Sequence, residues 1–408
     1  MSCEGFGVDF PAEFVEEGEV RVLVPKLEAF VKMPCEYAPS KAPVFYNPVM
    51  ELNRDFAVLA LQAYQKMVGR DVVVCEPLAA CGLRGIRFAV EVIGVGKVVL
   101  GDINERAYRL ACCNVEMNGL ADRVSVRHDE ANFLLSRYSR PRRRFDVVDL
   151  DPFGSPVPFL DSAVRALRNG GLLALTATDM APLCGVHAAA CVRKYGGRPL
   201  RTEYCHELAV RLLAGCLARV AARFDVGVDV VFSQRAEHYV RVYAAIKYGA
   251  MKADASLGKM GFVLHCFKCF HRETVKGLFA AEHDRTCAEC GSKMSFAGPL
   301  WLGRLFDAEF CSVMDAEAAR KKFRFGSRIR RVLSFVRAEV DAPVSYFVVD
   351  RLSDSLGLPV PAVGEVVEAL RKEGFEACLT HFNSGGVRTD ASALKVKETV
   401  RSLAKGKC

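Results

Sequence analysis

Phe145-Asp146-Val147-Val148-Asp149-Leu150, followed at once by Asp151-Pro152-Phe153-Gly154, gives the clearest indication of the fold in this sequence. The first six residues are mostly apolar, which is typical of a buried strand, and Pro152 and Gly154 then end it. In an open α/β sheet, ligands bind at the carboxyl ends of the strands, which predicts that Asp151 points into a crevice. The alternative is an ordinary turn in which Asp151 only caps the next helix.

Similar short runs recur on both sides of this stretch and alternate with helical segments. They predict strands at Val72–Val74, Val98–Leu100, Val124–Val126, Leu172–Thr176, Val228–Phe232 and Tyr239–Ile246. Such alternation indicates a mostly parallel, doubly wound sheet. Only Ser233–His238 separates the last two runs. That loop is too short for a helical crossover, so the last two strands are expected to pair antiparallel.

Composition limits the possible classes of protein. A chain of 408 residues is expected to form two or three domains, and its 51% hydrophobic and 25% charged residues are ordinary for a globular protein. No apolar run reaches the length of a membrane span, and Met1–Gly5 does not resemble a secretion signal. An odd number of cysteines, 17, then indicates a reducing, cytoplasmic location. The net charge of +8 favours a polyanionic partner.

Three domains follow from changes in pattern along the chain. Residues 1–250 carry the alternating strands and helices, with an amphipathic helix predicted over Asn53–Met67. Residues 251–300 contain two cysteine pairs and little periodicity, and residues 301–408 form a small, basic module. We therefore expect an α/β domain, a metal-binding insert and a C-terminal α+β domain.

The loops after the first three strands predict a nucleoside cofactor. Cys75–Gly85 joins the first strand to a helix through small residues, although it is not a G-x-G-x-x-G motif. The second strand ends at Asp102, where a ribose hydroxyl would be held, and His128–Asn132 follows the third. Alternatively, Asp102 caps the helix that begins near Asn104.

Four longer motifs match a known family in order and spacing. They are Phe45–Asp55, Gly82–Arg87, Asp149–Pro156 and Thr178–Gly185. They closely resemble the tRNA guanine-26 N2-dimethyltransferase family, and the likeness runs from Phe45 to Tyr248 and returns at Thr380–Phe382 and Gly386–Thr389. The resemblance implies a Rossmann-like class I methyltransferase fold. It also implies S-adenosylmethionine as methyl donor, and one or two transfers to the N2 amine of a tRNA guanine.

The resemblance also implies which residues line the cofactor site: Arg54, Arg84, Asp102, Glu130 and Ala131. Glu130 stands where the family would lead us to expect Asp. Arg54 would bind the cofactor carboxylate, as arginine commonly does. The alternative for Arg54 is a salt bridge with Asp55 or Glu51, and Arg84 is open to a similar alternative.

Methylation of a guanine amine explains the residue types around Asp151. The N2 lone pair is delocalised into the ring, so an acceptor such as Asp151 must hold the amine hydrogens and orient the lone pair. A guanine within folded tRNA must also leave its stack, and Phe45 and Phe153 are the predicted sandwich for the ring. Alternatively, Phe45 only closes the edge of the sheet.

Two cysteine pairs predict a metal site. Cys266 and Cys269, then Cys287 and Cys290, form C-x2-C-x17-C-x2-C, a spacing that encloses one tetrahedral zinc. Four sulfur ligands leave no open position, so the zinc is expected to be structural, as in a zinc ribbon. His265, His271 and His283 are near enough to replace a ligand. The alternative is reduced cysteines without metal, or redox pairs.

The C-terminal part is predicted to bind tRNA. Arg320–Arg337 holds eight basic and no acidic residues, with Phe323, Phe325 and Phe335 among them, which indicates a phosphate-binding helix face. A solvated basic face without a partner is the alternative, and the phenylalanines are expected to pack inward. Downstream, helices over Val349–Leu356 and Pro361–Lys372 and strands over Phe375–Thr380 and Gly385–Thr389 predict a winged-helix-like fold.

Other features are excluded or left open. His206-Glu207 begins like H-E-x-x-H, but Val210 occupies the fifth position, so no metalloprotease helix is expected. Glu237-His238-Tyr239 has no assigned role. An N6-adenine methyltransferase and a non-catalytic, zinc-containing RNA-binding protein are the rival functions. No motif indicates a membrane or an obligate protein partner.

Overall fold

The computed structural model describes residues 8–31, 38–236, 238–278 and 285–405. Within these ranges the strands are β1 Ala12–Glu17, β2 Val20–Pro25, β3 Val72–Glu76, β4 Val95–Asp102, β5 Val124–His128, β6 Phe145–Leu150, β7 Leu167–Ala177, β8 Val226–Arg235, β9 Val240–Tyr248, β10 Met260–His265, β11 Arg272–Lys276, β12 Ser295–Trp301, β13 Phe347–Val348, β14 Ala377–Thr380 and β15 Asn383–Thr389. The helices are α1 Glu51–Val68, α2 Leu83–Glu91, α3 Glu105–Met117, α4 Ala131–Arg137, α5 Leu160–Ala166, α6 Met180–Leu183, α7 Ala188–Tyr195, α8 Cys205–Ala222, α9 Ala250–Leu257, α10 Ala308–Ala318, α11 Gly326–Glu339, α12 Val349–Leu356, α13 Val363–Lys372 and α14 Ala393–Lys405.

A seven-stranded sheet has the order β5-β4-β3-β6-β7-β9-β8. The pairs β3/β4, β3/β6, β4/β5 and β6/β7 are parallel, and β8/β9 is antiparallel. The predicted Rossmann-like class I sheet is confirmed. Every residue of β6 is buried, as expected for a strand covered on both faces. The loop predicted between the last two strands, Ser233–His238, was too long, because β8 continues to Arg235.

The chain forms two compact units. The first comprises the described residues of Met1–Pro152, Pro158–Leu175 and Ser312–Arg330. In this unit α1 is buried over most of its length, and the hairpin β1–β2 is attached to α3 through Asn114. The Asn114 side chain accepts a hydrogen bond from Leu23 N at 2.7 Å and donates one to Leu23 O at 2.9 Å. The amide of Asn114 therefore satisfies backbone groups at the edge of β2.

The second unit comprises the described residues of Phe153–Val157, Thr176–Cys311 and Arg331–Cys408. It contains a three-stranded sheet β11-β10-β12 that carries the cysteine pairs, and a sheet β13-β15-β14 that packs with α12, α13 and α14. The C-terminal core is apolar and includes Val349, Leu352, Val366, Leu370 and Val396. The predicted α+β character of this region is confirmed. The domain boundaries proposed at residues 250 and 300 stay a prediction.

A buried ion-pair cluster also lies in the second unit; we call Glu207, Arg211, Glu339, His381 and Arg388 the α8 cluster. Glu207 contacts Arg211 and Arg388, each at 2.8 Å. Glu339 contacts Arg388 at 2.6 Å and His381 at 2.8 Å. Burial alone would raise the pKa of Glu339, but His381 and Arg388 outweigh it and bring that pKa down to about 2. The cluster therefore holds its carboxylates ionised inside the protein.

Candidate active site at the strand ends

Acidic side chains lie at, or directly after, the carboxyl ends of four strands in the first unit. β3 ends at Glu76 and β4 at Asp102, Asp151 comes directly after β6, and Glu130 comes two residues after β5. These strands are parallel to their neighbours, so their carboxyl ends meet at one edge of the sheet. This edge is where the sequence predicted the crevice.

Arg84 holds the side chain of Asp151. Its Nη2 donates a hydrogen bond to Asp151 Oδ2, and its Nη1 donates one to Asn53 Oδ1 at 2.9 Å. Its Nε lies 3.3 Å from Glu76 Oε1 and 3.9 Å from Asp149 Oδ1. We call Arg84, Glu76, Asp149 and Asp151 the strand-end cluster. One guanidinium therefore faces three carboxylates, and it fixes the orientation of Asp151.

The members of this cluster differ in their access to solvent. The side chains of Glu76 and Asp149 are 4% and 2% exposed, whereas that of Asp151 is 17% exposed. The next helix, α5, begins only at Leu160, with Phe159 at its N-cap position. The capping alternative for Asp151 is therefore wrong. Asp151 is the carboxylate of the cluster that a ligand can reach most easily.

Glu76 is a member of the site that the sequence prediction missed. Burial raises the pKa of Glu76 to about 8; Arg84 offsets part of the rise, while the charges of Asp149 and Asp151 add to it. Glu76 Oε2 also accepts a hydrogen bond from Gly85 N at 3.0 Å. Its position at the end of β3, directly before the small-residue loop, was the available signal. The cluster carries excess negative charge whether or not Glu76 is protonated.

Asp102 contacts the loop that follows β3. Its Oδ2 accepts a hydrogen bond from Ala80 N at 2.8 Å, and its Oδ1 accepts one from Asn104 N at 2.9 Å. Asn104 caps α3, because its side chain accepts from Arg106 N at 3.0 Å. The capping alternative for Asp102 is therefore wrong. Burial raises the pKa of Asp102, although hydrogen bonds from the backbone oppose the rise.

Glu130 and Ala131 lie at the start of α4. Glu130 is the N-cap residue, and its Oε2 accepts a hydrogen bond from Phe133 N at 2.9 Å. Its Oε1 accepts one from Asn132 Nδ2 at 3.2 Å. Ala131 is buried at the beginning of the helix. Both residues lie at the predicted edge, and their contact with a cofactor stays a prediction.

Arg54 is held by a carboxylate of the protein. Its Nε and Nη2 donate to the two oxygens of Glu17 at 2.6 and 2.5 Å, and Nη2 also donates to Asn47 O at 3.2 Å. The side chains of Arg54 and Glu17 are 9% and 4% exposed. The salt-bridge alternative was right in kind, but it named Asp55 or Glu51 as the partner. Glu17 was missed because it precedes the recognised motifs.

The aromatic candidates differ in exposure. Phe153 is 72% exposed, and Phe45 is partly buried. The turn after Phe153 is fixed by two hydrogen bonds: Gly154 N donates to Thr178 Oγ1, and Thr178 N donates to Gly154 O, each at 2.8 Å. Gly154 has a φ of 76°, which glycine adopts without strain. Stacking of a base by these two phenylalanines stays a prediction.

The four predicted metal ligands converge in the second unit. The Sγ atoms of Cys266, Cys269, Cys287 and Cys290 lie within 4.8 Å of one another. Cys266 Sγ is 3.5 Å from Cys290 Sγ, and Cys269 Sγ is 3.4 Å from Cys287 Sγ. Four sulfurs around one zinc, at Zn–S distances of about 2.3 Å, lie roughly 3.8 Å apart. The cluster therefore has the size of a zinc site.

The backbone around these cysteines forms two equivalent turns. Phe270 N donates to Cys266 O at 2.9 Å, and Gly291 N donates to Cys287 O at 2.8 Å. Phe270 and Gly291 share a left-handed φ of 67°. His271 instead contacts Glu289 at 3.1 Å, and His283 lies outside the described residues. Each pair is therefore shaped as a knuckle that presents two sulfurs.

The remaining histidine candidates lie elsewhere. Glu207 is fully buried in the α8 cluster, so the His206-Glu207 pair does not form a protease-like site. His206 is partly buried in the first turn of α8. Glu237 lies outside the described residues, and the role of His238 stays open.

The basic segment Arg320–Arg337 includes most of α11. Arg328, Arg330 and Arg331 are exposed there, whereas Phe323, Phe325 and Phe335 are partly buried. The guanidinium of Arg331 lies 5.5 Å from the ring centre of Phe335. The exposed charges are available to a polyanion. Among the described residues, no helix combines the length and the apolar character needed to cross a membrane.

Comparisons with known proteins agree on one family. The family model for N2,N2-dimethylguanosine tRNA methyltransferase matches residues 18–401. The tRNA (guanine(26)-N(2))-dimethyltransferase of Methanobrevibacter smithii is 40% identical over 97% of this chain and 98% of its own length. The tRNA (guanine(26)-N(2)/guanine(27)-N(2))-dimethyltransferase of Aquifex aeolicus is 36% identical, over 96% of each chain.

A solved structure supports the same assignment. Trm1 from Pyrococcus horikoshii, in complex with S-adenosyl-L-methionine, superposes with a TM-score of 0.83 at 35% identity. The match covers 95% of this chain and 99% of the other. The family model and the relatives both span nearly the whole sequence, so the likeness is not confined to the central sheet. This chain belongs to the N2,N2-dimethylguanosine tRNA methyltransferase family.

Proposed function

We propose that this protein transfers one or two methyl groups from S-adenosyl-L-methionine to the exocyclic N2 of guanine 26 in tRNA. The observation that carries the proposal is the position of Asp151, which directly follows β6 and is held by Arg84. The family membership and the names of the relatives support the same reaction. We expect the reaction to take place in the cytoplasm.

The cofactor would lie along the edge formed by Asp102, Glu130 and Ala131. S-adenosyl-L-methionine supplies an electrophilic methyl group on a positively charged sulfur. Each oxygen of Asp102 already accepts one backbone N–H and retains a lone pair, so this carboxylate can also accept from ribose hydroxyls. Arg54 and Arg84 complete the predicted cofactor-binding set. Both guanidinium groups are held by carboxylates, so their orientation is fixed before a ligand binds.

Asp151 would orient the guanine amine. Arg84 donates to Oδ2, so we propose that Oδ1 accepts an N–H from the exocyclic N2 and turns the lone pair toward the methyl group. The amine gains positive charge as the new bond forms. The excess negative charge of the strand-end cluster stabilises that charge and the sulfonium together.

The base would be held by aromatic faces. Phe153 is 72% exposed, so its ring can contact a base that has left the tRNA stack. Phe45 would stack on the other face of the base, and each stacking contact would contribute about 1 to 3 kcal/mol to the binding of the base. Phosphates of the tRNA would bind the exposed arginines of the basic segment Arg320–Arg337.

The cysteine cluster would hold one structural zinc. Cys266, Cys269, Cys287 and Cys290 provide four sulfurs at the right spacing, and both knuckles have the same backbone hydrogen bonds. Four protein ligands leave no open coordination position, so the ion would stabilise the sheet β11-β10-β12 rather than take part in methyl transfer.

The test is methyl transfer to defined tRNA. Purified protein is incubated with labelled S-adenosyl-L-methionine and unmodified tRNA transcripts, which are then digested so that the labelled nucleosides can be identified. We expect N2-methylguanosine or N2,N2-dimethylguanosine, and loss of the label when guanine 26 is replaced by adenine. Residual label in that transcript would reveal transfer to guanine 27. N6-methyladenosine, or no labelled product, would overturn the proposal.

Variants separate the roles of the carboxylates. Asp151→Ala is expected to abolish transfer and to leave S-adenosyl-L-methionine binding within a few-fold of wild type. Asp122→Ala is a matched control, because Asp122 is an exposed carboxylate in the same unit. Equal loss of transfer and cofactor binding in Asp151→Ala would assign Asp151 to the cofactor site instead.

A further inference from the structure

A second group of side chains that could hold a metal ion lies in the second unit. Cys184 follows α6, Cys205 is the first residue of α8, and His206 is the next. One ligand atom of each residue lies within 4.8 Å of the other two, and all three side chains are partly buried. Two thiolates and one imidazole are a donor set that zinc binds in proteins, with a fourth position left open.

The convergence of these residues is selective. In the described part of the chain, two groups of three or more such ligands come together, and the other is the four-cysteine cluster. Cys184 lies 21 positions before Cys205, so local sequence does not bring them together. Cys205 also begins an 18-residue helix, and the N-terminus of a helix favours a negatively charged ligand.

We propose that Cys184, Cys205 and His206 bind one Zn²⁺ ion, with a solvent molecule completing a tetrahedron. Two thiolates balance the charge of the ion, and a neutral imidazole supplies the third protein ligand. The ion joins the end of α6 to the first turn of α8.

The proposed zinc site lies at the end of a segment whose beginning is held by hydrogen bonds. Thr178, near the start of α6, exchanges two hydrogen bonds with Gly154. Asp179 accepts hydrogen bonds from the hydroxyl of Tyr195 and, at 3.0 Å, from Lys194. The segment Thr178–Cys184 is therefore held at its beginning by the turn after Phe153, and the metal holds its other end.

Zinc content of the full-length protein tests the proposal. Elemental analysis after exhaustive buffer exchange, followed by titration with ZnCl₂ against a chromophoric chelator, counts the bound ions. We expect two ions per chain in the wild type and one fewer in Cys205→Ser. Cys191→Ser is the matched control, because Cys191 is a buried cysteine of the neighbouring α7 that is outside the group. It is expected to bind as many ions as wild type.

A second variant guards against loss of folding. His206→Gln keeps both sulfurs and should lower the zinc affinity of this site tenfold or more. The zinc of the four-cysteine cluster should remain bound in His206→Gln and should be lost in Cys266→Ser. Cobalt substitution gives an independent readout, because the intensity of the thiolate-to-cobalt absorption increases with the number of sulfur ligands. The absorption that His206→Gln loses should have the intensity expected for two sulfurs, whereas the four-cysteine cluster should give that of four. Unchanged zinc content in both Cys205→Ser and His206→Gln would overturn the proposal. So would a Cys184–Cys205 disulfide found by peptide mapping in protein isolated without reductant.

Discussion

The strand-end cluster and the α8 cluster are both buried groups of arginine and carboxylate, yet their charges are balanced differently. In the strand-end cluster, Arg84 faces three carboxylates. In the α8 cluster, Glu207 and Glu339 face two arginines, and His381 also contacts Glu339. The strand-end cluster therefore has more carboxylates than basic groups, whereas the α8 cluster does not.

The pKa values of two glutamates record this difference. Burial and neighbouring acids raise the pKa of Glu76 to about 8. Burial would also raise that of Glu339, but His381 and Arg388 bring it down to about 2. The same side chain at similar burial thus shifts in opposite directions, and the balance of nearby charge decides the sign. The balanced cluster joins elements of the fold, whereas the unbalanced one is suited to receive a cation.

Removing the charge of Asp151 is expected to affect catalysis more strongly than any other change proposed for the two clusters. Asp151→Asn keeps the shape of the side chain and removes its charge, so kcat should fall by about 10³-fold. The melting temperature should not fall, because the substitution removes one charge from a cluster with excess acid. Steady-state methyl transfer at saturating substrate and thermal unfolding measure the two quantities, with Asp122→Asn as control. A clear loss of stability would mean that the strand-end cluster is structural, like the α8 cluster.

The opposite outcome is expected for the α8 cluster. Glu339→Gln removes the carboxylate that contacts His381 and one of the two carboxylates that contact Arg388. Breaking a buried pair typically costs about 3 to 5 kcal/mol. Denaturant unfolding followed by fluorescence measures this cost. Glu398→Gln is the control, because the side chain of Glu398 is 50% exposed and lies 3.9 Å from Lys395. Equal stability of the two variants would contradict the assigned role of Glu339.

The two clusters should also give opposite pH dependence. Glu339, whose folded pKa lies below its ordinary value of 4.5, contributes stability that is present above pH 4.5 and is lost as pH falls toward 2. Glu76, whose folded pKa lies above 4.5, contributes stability that is present below pH 4.5 and is lost as pH rises through 8.

Paired variants isolate each branch of the pH profile. Between pH 6 and 9 the free energy of unfolding of the wild type should fall by about 3 kcal/mol because of Glu76. Glu76→Gln should remove this pH dependence. Glu339→Gln should flatten only the acid branch. Melting temperatures of both variants and wild type, measured from pH 2 to pH 9, follow the acid branch and the alkaline branch together. A wild-type alkaline slope that survives in Glu76→Gln would show that another group causes it.

The smallest effect is expected where charge is fully solvated. Arg328 is exposed, and if it contacts one phosphate, Arg328→Ala should weaken tRNA binding less than tenfold. It should also reduce the slope of log affinity against log salt by about 1. Filter binding at several salt concentrations measures the slope. An unchanged slope would remove Arg328 from the tRNA contact surface.

Local patterns in the amino-acid sequence predicted the strands of the central sheet and placed the candidate site at their carboxyl ends. The mostly apolar run Phe145–Leu150 and the similar runs on either side of it predicted the sheet, because alternation of short strands with helices is a local pattern. The end of that run placed Asp151 at the carboxyl edge. The spacing of Cys266, Cys269, Cys287 and Cys290 predicted their convergence, because each pair forms its knuckle within a few residues.

The partners of the charged residues could not be predicted from local sequence and are known only from the folded chain. Arg84 and Asp151 are 67 positions apart, and Arg54 and Glu17 are 37 apart. Such contacts depend on how strands and helices pack, so no local pattern encodes them. The same is true of the approach of Cys184 to Cys205 and of the rise in the pKa of Glu76. Burial and neighbouring charge set these properties, and both exist only once the chain has folded.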